Sequence, residues 1–302
     1  MRLEGKIALV TGAGSGIGKC IAETYAREGA RVAMADINAE AAKSAARATG
    51  NNAIALRCDV SQKADVDGVV EETLAAFGTL DILVNNAGAT HINKPVVETS
   101  EAEYDRIFAV NVKGIFLACQ AVIPAFRKRG GGVIINIGST AGLRPRPGLS
   151  AYNASKGAVH VLTKSLAVEL APDGIRVCAI APVATETPLL PSFLGSAPGI
   201  REKFVATIPL GRLALPQDIA DAALFLASAE AKFLTGNIME VDGGRGVRRT
   251  IVVAAERGDP SSACRSRRTH QCHRRSARCR IGAARASQSS AQSAVRGSAA
   301  GN

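Results

Sequence analysis

The chain contains no tryptophan, and aromatic residues make up only 4% of its 302 residues. A core without large rings must close on Ala, Val, Ile and Leu, which suits parallel strands buried under helices. No uninterrupted apolar run reaches the roughly 20 residues of a membrane span, so no membrane partner is expected. The start does not read as a leader either. Met1-Arg2-Leu3-Glu4-Gly5-Lys6 runs straight into a strand-like segment, and a cytoplasmic protein is the expectation. The seven cysteines fit neither a zinc site nor a disulfide framework, and no metal is expected. Cys20, Cys58, Cys119 and Cys178 stand singly in regular segments, as small buried hydrophobes of a reducing compartment do.

Acidic charge is scarce relative to basic, at 26 against 37, and the formal net charge is +11. The imbalance is local. Residues 248–302 hold 12 Arg, no Lys and 2 acidic residues, a balance of +10, which leaves +1 for residues 1–247. A near-neutral body gives no reason to expect a specific nucleic-acid partner. The tail, 248–302, is Arg-, Ser-, Ala- and Gly-rich without periodicity, and its composition predicts disorder. Its one strand-like piece is Thr250–Ala255. Cys264, His270, Cys272 and His273 fit the spacing of no common zinc finger.

The body alternates short apolar runs with long amphipathic ones. Ile7–Thr11, Val32–Asp36, Ile54–Asp59, Ile82–Asn85, Val133–Gly138, Arg176–Ala181 and Ile238–Val241 read as strands. Ile17–Glu28, Ala39–Ala48, Lys63–Phe77, Glu101–Arg127, Tyr152–Leu170 and Gln217–Ala227 read as helices. This order predicts an α/β fold: a single Rossmann-type, doubly wound parallel sheet of about seven strands with helices on both faces. Ligands in such sheets bind beyond the carboxyl ends of the strands. The Pro-rich stretch 185–213 is too long for a simple connection and reads as a substrate lid with a short helix.

Chemistry-bearing residues fall at the expected strand ends. Thr11-Gly12-Ala13-Gly14-Ser15-Gly16-Ile17-Gly18 closes the first strand and opens a helix. Glycines let the backbone approach a pyrophosphate, and the helix N-terminus presents free N–H groups to it. Asp36 ends the second strand. A carboxylate there can accept from both adenosine ribose hydroxyls and repels a 2′-phosphate, which favours NAD over NADP. The plainer role for Asp36 is capping the helix that begins near Ala39. Tyr152 and Lys156, four apart, share one helix face. A nearby ammonium lowers the pKa of a phenol, and such a pair can act as a general acid/base. Ser139 follows the fifth strand, where its hydroxyl can hold a substrate oxygen. Asn111, an amide within a long helix, is expected to distort it locally and free a carbonyl for a water.

Together these residues resemble the short-chain dehydrogenase/reductase family over about residues 3–247. Thr11–Gly18 matches its T-G-x-x-x-G-x-G, and Asn85-Asn86-Ala87-Gly88 its N-N-A-G. Asp59-Val60 matches the pair that contacts adenine, Pro182 and Thr187 the segment at the nicotinamide, and Asp242-Gly243-Gly244 the usual ending. Asn111, Ser139, Tyr152 and Lys156 match the catalytic tetrad in order and spacing. The resemblance implies a pro-S hydride transfer between NAD(H) and a secondary alcohol or ketone. Tyr152 is then the acid/base. Lys156 tunes it and binds the nicotinamide ribose, Ser139 orients the carbonyl, and Asn111 anchors a relay water. The implied cofactor contacts are Gly12, Ser15, Gly16, Ile17, Gly18, Asp36, Asp59, Val60, Asn86, Ala87, Gly88, Tyr152, Lys156, Pro182, Val183 and Thr187. A homodimer or homotetramer is implied as well. The group it most resembles is that of 3-oxoacyl-carrier-protein reductases and glucose dehydrogenases.

Val183 departs from the pattern, standing where the family has glycine, and a branched side chain there stiffens the nicotinamide pocket. Two alternatives stand beside the main reading. One is an NADPH-dependent 3-oxoacyl-(acyl-carrier-protein) reductase, against which Asp36 argues. The other is a non-catalytic cofactor-binding regulator, against which the intact tetrad argues. Arg144 and Arg146 read as a solvated loop in preference to an anion-recognising pair. For His91, lining the substrate cleft and being a neutral loop histidine stand equal.

Overall fold

Seven apolar runs become strands: β1 (Ile7–Thr11), β2 (Arg31–Asp36), β3 (Ala53–Arg57), β4 (Ile82–Asn85), β5 (Gly132–Ile137), β6 (Ile175–Pro182) and β7 (Ile238–Val241). They form one sheet in the order β3-β2-β1-β4-β5-β6-β7, and every pairing is parallel. This is a computed structural model, and it describes residues 1–195 and 198–247. The expectations for 248–302, including Thr250–Ala255 and the Cys/His cluster, lie outside the described residues.

The helices are α1 (Gly16–Arg27), α2 (Ala39–Thr49), α3 (Lys63–Phe77), α4 (Glu101–Phe108), α5 (Gly114–Arg129), α6 (Ser150–Leu170), α7 (Leu190–Leu194), α8 (Ile200–Val205) and α9 (Pro216–Ala227). Alternate residues of each strand enter opposite cores, as the two-residue period of a strand requires. Ala8 and Val10 of β1, Val32 and Met34 of β2, and Ile135 of β5 pack under α1, α2 and α9. Ile7, Leu9, Ala33 and Ile134 face α3, α5 and α6. Burial on both faces explains why the strands read as unbroken apolar runs. The switch of direction falls between β1 and β4, so the cleft opens above the carboxyl ends of these strands.

Two expectations need correction. The third strand stops at Arg57, short of Asp59. The Asp59 N–H bonds the Asp65 carboxylate in the first turn of α3 (2.9 Å) and so leaves the ladder. The helix expected over Glu101–Arg127 is not one α-helix. Residues Ala109–Lys113 form a π-helical turn between α4 and α5, with Asn111 at its centre. Such a turn widens the helix by one residue and commonly marks a functional position. Taken as a whole helix rather than an uninterrupted run, Glu101–Arg129 is long and apolar enough to cross a membrane by length and composition alone. Here Ile115, Leu117, Ala118, Val122 and Phe126 are buried against the sheet, as in a core helix.

The lid stretch 185–213 carries two short helices, α7 and α8, and a bridge from Thr185 to Ala214 ties its base to the fold.

Candidate active site

A cavity of about 750 Å³ runs along the carboxyl ends of the strands. One end is built from backbone. The Asn86 side chain donates to the carbonyls of Thr11 (2.9 Å) and Gly12 (3.0 Å). The Thr11 hydroxyl in turn accepts from the N–H groups of Asn86 (3.0 Å) and Ala87 (3.2 Å). The glycine-rich turn and the N-N-A-G segment are therefore one construction. A Cβ on Gly12, which has φ +64°, would stand 2.9 Å from the Ala87 Cα. A Cβ on Gly18 would come within 2.3 Å of the Gly12 carbonyl and the Asn86 amide, well inside contact, so only glycine fits there. Ser15 begins α1 without a side-chain cap, and the first turn holds no acidic residue. Its first N–H groups therefore remain available to an anion.

Asp36 lines the same end. Its carboxylate accepts from the N–H groups of Gly14 (2.9 Å) and Asn38 (2.9 Å), which fixes it against the turn. It does not cap α2; Asn38 does, accepting from Ala41 N (3.1 Å). Asp59 and Val60 also line this end, and Asp59 accepts from both the N–H and the hydroxyl of Ser61.

At the other end Ser139, Tyr152 and Lys156 meet, together with Pro182, Val183 and Thr187. A buried amide chain holds α6 in register here. Asn85 of β4 donates to Asn136 of β5 (2.9 Å), and Asn136 donates to Thr163 of α6 (2.9 Å). Lys156 is buried and donates to the Ile137 carbonyl (2.8 Å). Its ammonium lies 5.8 Å from the centre of the Tyr152 ring. Burial pulls the Lys156 pKa down to about 8. Burial also raises that of Tyr152, while the neighbouring Ser139 hydroxyl and the Arg146 charge pull it back. Desolvation is the largest influence on the phenol, and the cation that opposes it is Arg146. Ser139 accepts from Ala141 N (3.1 Å), which orients its hydroxyl at the end of β5.

Two predicted site residues stand behind the cavity rather than on it. Gly18 is a packing glycine under the turn, as its contacts show. Asn111 is fully buried: its amide exchanges both bonds with Ala89 (2.7 and 2.9 Å) and donates to Ser155 (3.0 Å). Ser155 donates to the Tyr152 carbonyl (2.8 Å), so Asn111 ties the π turn to the helix that carries Tyr152. The other predicted residues, Gly12, Ser15, Gly16, Ile17, Asn86, Ala87 and Gly88, line the cavity. Val183 is buried and donates its N–H to the Val241 carbonyl (3.1 Å).

Sequence reasoning missed Phe193 of α7, which lines the cavity and meets the Tyr152 ring edge-on with centroids 5.6 Å apart. It also missed Arg106, a lining residue whose guanidinium donates to the Thr90 carbonyl (2.9 Å). Neither sits in a local motif that would single it out. His91 is buried with its Nδ1 2.8 Å from the Ile92 carbonyl, and does not line this cavity. The solvated reading of the arginine pair fails for Arg146, whose guanidinium stacks on Phe193 and Phe204.

The family model described as Enoyl-(Acyl carrier protein) reductase matches residues 12–245. The chain belongs to the short-chain dehydrogenase/reductase family. It is 46% identical to the 4-formylbenzenesulfonate dehydrogenase of Comamonas testosteroni over 82% of this chain and 100% of the relative. It is 42% identical to the 2-(R)-hydroxypropyl-CoM dehydrogenase of Xanthobacter autotrophicus over 79% of this chain and 97% of that one. A crystal structure of a 3-ketoacyl-(acyl-carrier-protein) reductase from Brucella melitensis, complexed with NADH, superposes with a TM-score of 0.78 at 47% identity, covering 81% of this chain and all of that one. As a short-chain dehydrogenase/reductase, the chain is an oxidoreductase of alcohols that uses a nicotinamide cofactor.

Proposed function

We propose that the chain moves a hydride between NAD(H) and a secondary alcohol or ketone, with Tyr152 as acid/base. The observation that carries this reading is one cavity with Asp36 at one end and Tyr152, Lys156 and Ser139 at the other. Three features fit a dinucleotide there: a turn with no room for a Cβ, an uncapped α1 N-terminus, and a carboxylate held at the end of β2. Asp36 supports NAD over NADP, since a 2′-phosphate beside a fixed carboxylate is repelled. The Brucella melitensis relative's bound NADH agrees with this.

When bound, the nicotinamide supplies or accepts the hydride. Everything else falls to this chain. In reduction, the Tyr152 hydroxyl gives its proton to the substrate oxygen as that oxygen gains charge. In oxidation, Tyr152 acts as the phenolate, and its oxygen takes the alcohol proton to become the phenol. Ser139 Oγ holds the substrate oxygen beside it. Burial raises the phenol pKa, which favours the proton-donor form that reduction uses. Lys156 binds the nicotinamide ribose and places a positive charge near the phenol. Asn111 holds the helix that carries both.

The same reading takes residues 1–247 as the catalytic unit, with 185–213 as its lid, in a cytoplasmic homodimer or homotetramer. Phe116, Val161 and Val168, exposed apolar side chains on α5 and α6, support self-association. Truncation after Val247 is expected to leave a folded, active enzyme. A 3-oxoacyl-(acyl-carrier-protein) reductase is the second reading, favoured by the name of the Brucella melitensis relative. The test is turnover of a panel of secondary alcohols and ketones with each cofactor. NADH formation is expected. No turnover of any member, or a tenfold preference for NADP(H), about 1.4 kcal/mol, would overturn the reading.

A further inference from the structure

We propose that Arg146 selects substrates that carry an anionic group, a carboxylate or sulfonate, in addition to the reacting alcohol or carbonyl. The proposal rests on the oxidoreductase reading above and names its substrate class.

Arg146 stands behind Phe193, between the catalytic corner and the lid, and does not itself line the cavity, so an anionic group would reach it past that ring. Its guanidinium carbon is 4.7 Å from the centre of the Phe193 ring on α7 and 4.6 Å from that of Phe204 on α8. Phe193 in turn touches Tyr152 and lines the cavity. One phenyl ring therefore separates the cation from the acid/base. The two are within about 10 Å of each other, close enough for the charge to be felt in a partly desolvated site.

Three neighbouring arginines are paired with carboxylates, and among the described residues Arg146 is not. Arg144, two residues earlier, bonds Glu240; Arg201 and Arg212 of the lid stretch bond Glu186 and Asp218. Among the described residues no carboxylate pairs with Arg146, and its buried Nη1 has no hydrogen-bond partner. Instead a second cation stands close: Arg245 lies 4.7 Å from the centre of the same Phe204 ring, donating only its Nε to Thr207 (2.9 Å).

Two phenyl rings suit the faces of a guanidinium, but not its in-plane N–H fork. A buried donor left without a partner is destabilising, and more so when charged. A carboxylate or sulfonate fits that fork edge-on with two parallel bonds, and leaves the stacked faces undisturbed. It also relieves the repulsion between Arg146 and Arg245. The plainer alternative is that Arg146 only clamps α7 to α8. A clamp needs the faces of the cation and is indifferent to anions.

The experiment titrates benzoate, benzenesulfonate and the neutral benzamide into the full chain by calorimetry, with and without NADH. Arg146→Met and Arg146→Lys are run beside the unaltered protein. The unaltered protein is expected to bind each anion at least about tenfold tighter than benzamide, a gap of roughly 1.4 kcal/mol. Arg146→Met, which keeps the stacked volume, should shrink that ratio to within about threefold. Arg146→Lys, with charge but no fork, should fall between. Equal binding of benzoate and benzamide by the unaltered protein overturns the proposal, and that result needs no variant to fold. So does a preference that survives Arg146→Met undiminished. Turnover of 1-phenylethanol and 4-(1-hydroxyethyl)benzoate, measured alongside, keeps the two claims apart. If neither reacts while the anion preference holds, the oxidoreductase reading fails and the anion site stands.

Discussion

At the dinucleotide end of the cavity, position is set by backbone. Gly18 leaves no room for a Cβ beside the Gly12 carbonyl, Asn86 holds two carbonyls of the turn, and Asp36 is fixed by two N–H groups. At the substrate end, position is set by side chains from separate segments. Tyr152 leans on Phe193, Phe193 on Arg146, and Arg146 on Phe204. The first end has no room for a Cβ at Gly12 or Gly18 and is the proposed seat of a constant molecule, the cofactor. The second can be re-specified by changing a ring or a cation while the sheet stays as it is. On the proposed reading, binding of cofactor and choice of substrate are therefore separable.

Tyr152→Phe should split the two ends most widely. It removes the proton donor and little volume, so turnover should fall about 10²–10⁴-fold. NADH affinity should stay within about threefold. Single-turnover kinetics and NADH titration on one preparation check both, and a parallel loss of affinity would show that the ends are not separable.

The next effect is on stability and belongs to the substrate end alone. His160, one turn beyond Lys156, is buried beneath Gly138 with neither ring nitrogen hydrogen-bonded, and burial lowers its pKa to about 4. Its folded pKa lies below its ordinary value, so between pH 6.5 and about 4 the unfolded chain binds a proton that the folded one refuses. Stability should therefore fall by about 2–3 kcal/mol as pH drops through that window. Denaturant unfolding of His160→Gln should lack this part of the decline; parallel curves would remove the assignment.

Gly18→Ala should damage the opposite end. Overpacking of this kind costs about 1–3 kcal/mol, so NADH affinity should fall by roughly 10–100-fold. Calorimetric titration measures it, and unchanged affinity would mean that the turn yields where its contacts say it cannot.

The smallest effect is the most selective. Asp36→Ala with Ile37→Arg should move the ratio of NADPH to NADH affinity by about tenfold, and leave the Tyr152 chemistry in place. A ratio that does not move would mean that Asp36 serves the turn only.

The same division explains what could be read before the fold was known. The strands, the glycine turn, Asp36 and the tetrad are local patterns, and the sheet brings all of the site residues but Gly18 and Asn111 to the wall of one cavity. Asp59 was read as strand because its apolar neighbours are strand-like; a carboxylate six residues later takes its N–H instead. The π turn at Asn111 was foreshadowed by an amide inside a helix, yet its partners Ala89 and Ser155 come from other elements. Phe193 is out of reach for the same reason, and the sequence pairs Arg146 with Arg144 as a solvated loop, without a sign that the two differ. Each is ordinary in its own segment, and only the return of the lid over α6 makes one a wall of the cavity and the other a partnerless cation.

The most direct measurement of the central claim, that NADH lies along the strand ends with its adenosine ribose on Asp36, is a pair of fluorescence titrations of the unaltered full chain. The chain has no tryptophan, so the emission of the reduced nicotinamide itself is the signal. NADH should bind at least about tenfold tighter than NADPH, a difference of roughly 1.4 kcal/mol. Equal affinities, or tighter binding of NADPH, would contradict the placement of the ribose and the cofactor assignment with it.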